Sequence, residues 1–319
     1  MAGSWLDFEK PIAELQQKID ELSQIQGYDS EISKLKTQIE KLKTKIYSDL
    51  TPWQKVLLAR HPMRPYTLDY IDLITTEFIE LAGDRLFGDD KAVVGGLANF
   101  TVSEDKTLNL VIIGTQKGRD TKEKVTRNFG SPHPEGYRKA LRLMKLAEKF
   151  DLPIVTLVDT PGAYPGVGAE ERGQAEAIAR NLREMAILRV PVVVIIIGEG
   201  GSGGALALAV GNRVLMMEYA VYSVISPEGC ASILWRDSSK AEEAAKALKM
   251  TAIDLHRFGI IDEIVPEPLG GAHQDHKLAA QYIKESILKS IAELKSMTPE
   301  ELISQRIEKF QSFGIFQNG

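Results

Sequence analysis

Two short apolar runs each empty into a glycine-rich loop and then a helix, and this doubled plan constrains the 319-residue chain more than any other feature. The first run is IVTLVD, residues 154–159, followed by TPGAYPGVG and a helical pattern that begins near Ala169. The second is VVVIIIG, residues 192–198, followed by EGGSGG and an alanine- and leucine-rich segment. Apolar runs of this length bounded by turn signals read as strands buried on both faces, as in sheets covered by helices. Residues 92–101, 108–115, 213–217, 221–225 and 263–265 read as further strands. Helical patterns cover about 135–149, 170–188, 205–210, 238–248 and 272–294. Strands alternating with helices argue for an α/β fold.

The first fifty residues differ. Ile12, Leu15, Ile19 and Leu22 recur at heptad spacing, as do Ile32, Leu35, Ile39, Leu42 and Ile46, with Lys, Glu and Gln between them. Gly27-Tyr28-Asp29-Ser30 separates the two runs, so residues 1–50 read as an antiparallel helical hairpin, an assembly arm without chemistry of its own. Its apolar stripe is expected to dock on a partner. Thr51-Pro52 then reads as a helix start, and RHPMRPYTLDYI as a proline-rich linker running into another helix. Residues 51–319 form the main domain.

Composition excludes several classes. The net charge of −5 makes nucleic acid an unlikely main partner, because phosphate binding needs a basic face. A single cysteine, Cys230, supplies neither a disulfide framework nor a cysteine zinc site, which suits a reducing, cytoplasmic setting. The longest apolar run, residues 192–197, is far below the roughly 20 residues that cross a bilayer, and the first residues read as no secretory signal.

Residues 198–204, GEGGSGG, hold five glycines in seven positions and match three motifs. Gly198, Gly200 and Gly203 satisfy the dinucleotide pattern G-x-G-x-x-G, with Glu218 near the place of a ribose-binding acid; the helix that follows is short for such a crossover. Gly200-Gly201-Ser202-Gly203-Gly204 satisfies the nucleophile elbow G-x-S-x-G. Asp237 with His256, His273 or His276 supplies the chain order of a triad. The third reading needs no side chain: a glycine turn at a helix start aims several backbone N–H groups at one point and stabilises an oxyanion there. Asp159-Thr160-Pro161-Gly162 looks like a GTPase DxxG, but no G-x-x-x-x-G-K-[ST] accompanies it.

Longer stretches carry a resemblance. DTPGAYPGVGAEERGQAEAIARNLREM, IGEGGSGGALALAVGNRVLMMEYAVYSVISPEGCASILWRD and IVPEPLGGAH are similar to the carboxyltransferase α subunits of bacterial acetyl-CoA carboxylases. So are RPYTLDYI, ELAGDRLFGDD, QKGRDTKEKVTRNFG and HPEGYRKALRLM, and the similarity runs from LDFEKPIAEL to the tail. The resemblance implies a crotonase-like superhelix of repeated β-β-α units behind the N-terminal hairpin. It implies an α2β2 heterotetramer in which the β subunit carries a zinc ribbon and much of the acyl-CoA site, with no metal bound by this chain. Carboxybiotin on the biotin carboxyl carrier protein, charged by biotin carboxylase, would enter between the subunits. Its carboxyl group would pass to acetyl-CoA and give malonyl-CoA for fatty acid synthesis, with the released biotin nitrogen taking the methyl proton.

Under this reading the backbone of Gly203 and Gly204 forms the oxyanion hole, while Gly200 and Gly201 shape the turn and belong to the biotin-binding surface. Gly162, Ala163 and Tyr164 wall the same cleft against biotin. Lys117, Arg119, Lys122, Lys124 and Arg127 form a basic cluster that would attract CoA phosphates or the transferred carboxylate. Ser202 is expected to cap rather than attack, Glu170 and Glu171 to favour a helix start, and Cys230 to be a small buried residue. Two other classes remain: a serine hydrolase using Ser202, and a non-catalytic crotonase-like module that binds a partner.

Overall fold

The computed structural model describes residues 5–103 and 106–314. The hairpin is α1 (Lys10–Leu22) and α2 (Asp29–Tyr47), turning at Gly27, whose φ of +94° suits only a residue without Cβ. Ile12, Ile19, Leu35, Ile39 and Tyr47 are buried along its seam, and the same cluster takes in Leu58 and Tyr219 of the main domain. The stripe therefore finds its packing inside the chain, where docking on a partner was expected. A polar seam runs beside it. Tyr47 donates a 2.5 Å hydrogen bond to Glu9, and His273, 3.7 Å from Glu9, stacks on His61 at 3.9 Å.

After α3 (Pro52–Ala59), capped by Thr51, come α4 (Thr67–Ile74), β1 (Thr75–Glu80), β2 (Val93–Ser103) and β3 (Lys106–Thr115). Next are α5 (Thr121–Thr126), α6 (Pro134–Lys149), β4 (Ile154–Thr160), α7 (Val167–Glu171), α8 (Gln174–Ala186), β5 (Val192–Gly201) and α9 (Ser202–Leu206). The remainder is β6 (Arg213–Met217), β7 (Val221–Ser223), α10 (Pro227–Trp235), α11 (Ala241–Leu248), α12 (Ala252–Arg257), β8 (Glu263–Val265), α13 (His276–Leu294) and α14 (Pro299–Gln311).

Among the described residues the strands make one eight-stranded sheet, seven in the order β1-β2-β3-β4-β5-β6-β8 with β7 branching from β5, antiparallel up to β3 and parallel beyond. All seven positions of β4 are buried, and so are the first nine of β5, which is why both read as unbroken apolar runs. β5 serves two neighbours in turn. Val193–Ile196 pair with β6, and then Glu199–Gly201 pair with β7. The strand changes partner across Ile197 and Gly198, where the β4–β5 ladder also loses its register. β2, β3 and the helices after them, and β6, β7 and α10, are the β-β-α units of the fold.

The structure adds to or departs from the sequence reading at three places. β1 has no counterpart among the expected strands; it is an edge strand whose exposed positions leave no apolar alternation to find. The helix expected over 170–188 breaks at Gly173, φ +82°, into α7 and α8. α5, α10, α12 and α14 carry caps at Asp120, Ser226, Thr251 and Thr298 that the sequence reading passed over.

Candidate active site

The parallel strands end together, and in open α/β sheets ligands bind at such carboxyl ends. The two glycine loops meet there, backbone to backbone. An ideal Cβ on Gly201 would stand 2.1 Å from the carbonyl oxygen of Pro161, and one on Gly204 would stand 2.4 Å from the amide nitrogen of Ala163. Neither position has room for any side chain. Gly200 is covered by Tyr222, 2.7 Å from where its Cβ would be. Gly203 differs: its nearest neighbour would be the Ile178 side chain at 3.6 Å, an ordinary contact. Gly162 and Ala163 thus lie against Gly201 and Gly204. Tyr164 is turned onto His133, 4.2 Å from ring to ring, and its carbonyl accepts from Gln174.

At Ser202 the chain enters α9 with φ +51°. The first-turn N–H groups of Ser202, Gly203 and Gly204 have no acceptor within the helix itself. Ser202 and Gly203 lie at the edge of a cavity of about 930 Å³. Its other walls are largely apolar: Leu206, Tyr222, Val224, Phe258, Phe310 and Phe313. Phe310 and Phe313 come from the far C-terminal end, a contribution that no local motif announces.

Beneath the loop runs an ion network that the sequence reading missed. Lys117 Nζ lies 2.7 Å from Asp159 Oδ1 and 2.8 Å from Glu199 Oε2. Arg60 Nε reaches Glu199 Oε1 at 2.6 Å, and its Nη1 reaches Glu228 Oε1 at 2.5 Å. Burial pushes the Glu199 carboxyl up, but Lys117 and Arg60 outweigh it and hold it down at about 2. The same carboxylates raise Lys117 above the ordinary lysine range against burial. A signal was present: Asp159 and Glu199 are acids in otherwise apolar strand runs, and a buried acid needs a partner.

The basic cluster consequently comes apart. Lys117 is occupied by two carboxylates and is not free for a phosphate. Arg119 pairs with Asp69, donates to the carbonyls of Pro62 and Arg64, and lies over the Tyr66 ring at 4.1 Å. Arg127 pairs with Glu123 and the Lys91 carbonyl. Lys122 and Lys124 are exposed.

The elbow reading fails on its partners. Ser202 has the strained backbone such an elbow needs. However, Asp237 caps Ser239, His256 is exposed on α12, His273 stacks on His61, and His276 meets the Met63 carbonyl. None of these acids or histidines lines the cavity. Dinucleotide binding fails because α9 has only five residues. Among the described residues, Glu9, His61 and His273 place ligand-type atoms within 4.8 Å of one another. The two rings stack face to face, whereas metal ligation uses lone pairs in the ring planes, and Glu9 already accepts from Tyr47 and the Leu6 N–H.

Comparison with known proteins identifies the family and the fold. The family model "Acetyl co-enzyme A carboxylase carboxyltransferase-like" matches residues 5–314. The acetyl-coenzyme A carboxylase carboxyl transferase subunit alpha of Geobacter metallireducens is 58% identical over 315 residues, 98% of each chain. That of Azoarcus is 56% identical over 322 residues, 99% of each chain. Among solved structures, a Pseudomonas malonate decarboxylase hetero-tetramer in complex with coenzyme A superposes with a TM-score of 0.59 at 15% identity, covering 77% of this chain and 94% of that one. Transcarboxylase 12S, with methylmalonyl-coenzyme A bound, gives 0.58 at 19% identity, covering 73% and 42%. At such identities the structures show the shared crotonase-like fold, while the sequence relatives show the family: the chain belongs to the acetyl-coenzyme A carboxylase carboxyltransferase family, among its alpha subunits.

Proposed function

We propose that this chain, joined to a β subunit in an α2β2 heterotetramer, transfers a carboxyl group from biotin on its carrier protein to acetyl-CoA, giving malonyl-CoA. Biotin carboxylase would recharge the carrier in the wider complex, in the cytoplasm. Family membership supports the reaction class, and the names of the relatives support a partner subunit. Among the described residues no helix is long and apolar enough to cross a membrane.

The observation that carries the reading is Gly203. Its position accommodates a Cβ without clash, and it borders the cavity, so its N–H can meet a flat ligand that a neighbouring side chain would obstruct. When bound, carboxybiotin supplies the carboxyl group and a ureido oxygen that gathers negative charge as the carboxyl leaves. The N–H groups of Gly203 and Gly204 would hold that oxygen; one such donor typically contributes about 2.7–4 kcal/mol to the transition state. Gly201 and Gly204 let the loops pack closely enough to keep those donors fixed, and Gly200 lets Tyr222 cover the turn. Gly162 and Ala163 wall the cleft. The apolar lining excludes water, which strengthens each donor. No side-chain base of this chain is required. Lys122 and Lys124 are the cluster members left to attract CoA phosphates or the carboxylate. Zinc belongs to the β subunit in this reading. We assign the outer face of the 1–50 hairpin to assembly; deleting it should weaken the tetramer in sedimentation.

The test is malonyl-CoA-dependent carboxylation of biocytin, the reverse reaction. We expect activity from this chain mixed with its cognate β subunit and none from the chain alone. No transfer by the mixture would overturn the reading, and labelling of Ser202 by a fluorophosphonate would favour a hydrolase.

A further inference from the structure

At the bend of β5, side chains replace the missing ladder. Where the β4–β5 register is lost, the Glu199 N–H donates to Asp159 Oδ1 at 2.9 Å, and the Asp159 N–H donates to Thr115 Oγ1 at 2.6 Å. An ideal Cβ on Gly198 would stand 2.4 Å from Asp159 Oδ1, so the carboxylate occupies the space that glycine vacates. Lys117 then closes the device from the end of β3 by bridging Asp159 and Glu199. Arg60 continues it from Glu199 to Glu228 in the first turn of α10. Two residues beyond Glu199 the chain meets Pro161, and three beyond it enters α9.

We propose that Lys117 and Arg60 are positioning residues for carboxyl transfer. By clamping Asp159 and Glu199 at the bend of β5, they set where the N–H groups of Ser202, Gly203 and Gly204 point. The proposal rests on the function assigned to the glycine loop above. Neither cation borders the cavity, so each acts through the backbone rather than on a substrate. The two arms differ in strength. Side-chain exposure is 14% for Lys117, 1% for Asp159 and 12% for Glu199, so water cannot replace a missing partner there. Arg60 and Glu228 are exposed by 30% and 38%, and solvent screens that arm. Lys117 therefore outranks Arg60.

The experiment uses the reconstituted complex with the β subunit. Lys117→Met should lower kcat about 100-fold, the effect of a misplacement of roughly an ångström, with KM for biocytin and malonyl-CoA within about twofold. Lys117→Arg should recover part of the loss, and Arg60→Met should cost about tenfold. Should Lys117→Met fail to fold, Glu199→Gln, equal in shape, carries the test with the same kcat-selective loss. Amide hydrogen exchange at 199–204, measured on the full chain alone, should quicken in these variants while β2 and β3 keep their protection. An unchanged kcat in the folded complex, a loss confined to KM, or unchanged exchange in the loop overturns the proposal. A wild-type complex without carboxyl transfer overturns the functional reading instead, and the exchange experiment still judges the clamp.

Discussion

The two glycine loops look alike in sequence and are built for different reasons. In the first, Gly162 adopts φ +148° and has nothing nearer its absent side chain than the Gly201 carbonyl at 3.9 Å; it is there for its conformation. In the second, Gly201 and Gly204 have negative φ and no space, because the first loop's backbone fills it. Gly162 is needed for the turn, and Gly201 and Gly204 are needed for the close contact. The partner whose approach makes Gly204 obligatory is therefore the chain itself. Only Gly203 is left with both room for a side chain and a place at the cavity.

Substitutions can break this contrast, and Gly204→Val should do so most severely. A branched side chain would enter the backbone of Gly162 and Ala163. We expect a loss of about 3 kcal/mol or more in denaturant unfolding, with activity lost through packing rather than through a blocked ligand. A Gly204→Val protein of wild-type stability would refute the loop contact.

Acid should separate the loops next. Glu199 has a folded pKa of about 2 against an ordinary 4.5. Its depressed value means that its stabilisation is complete above 4.5 and is lost as pH falls from there toward 2, on the order of 3 kcal/mol in all. The first loop is anchored by the hydrogen bonds of Gln174 to the Pro132 and Tyr164 carbonyls, which do not titrate in that range. Between pH 4.5 and 2.5, hydrogen-exchange protection factors, corrected for the intrinsic slowing of exchange, should fall at 199–204 before 161–166. Loosening of both loops together would erase the distinction.

Gly201→Ala comes third. A single methyl would press on the Pro161 carbonyl, and about 1–3 kcal/mol should be lost, with Tm falling accordingly. Gly203→Ala sharpens the comparison by doing the least to the fold. Its Cβ meets Ile178 at ordinary distance, so stability should stay within about 0.5 kcal/mol. Its kcat in the complex should nonetheless fall about tenfold or more if the ligand approaches that face. Ser202→Ala, in the same assay, should keep most of its activity; the reverse ranking of these two variants would return the hydroxyl to the mechanism.

Local pattern was enough to read the strands over 213–217 and 263–265, which the structure matches residue for residue, and the two central strands to within three residues. The two central strands and most of 213–217 are buried on both faces and leave a continuous apolar signature, while the heptad stripes of α1 and α2 are legible as a one-sided period. The family, too, was legible, because its motifs are long and contiguous. β1 was not, since exposed edge residues such as Glu77 and Glu80 carry no apolar alternation. Nor was the occupant of the hairpin's stripe: Leu58 and Tyr219 reach it from distant positions. The sequence by itself determined that a glycine-rich turn would follow a buried strand and offer backbone donors. Tertiary structure alone decided which glycine meets what, and it turned Lys117 from a candidate phosphate ligand into the partner of Asp159 and Glu199. The physical reason is that a strand's apolar character is written in its own residues. Close approach of two backbones, or of one cation to two acids, is a relation between segments that no segment records alone.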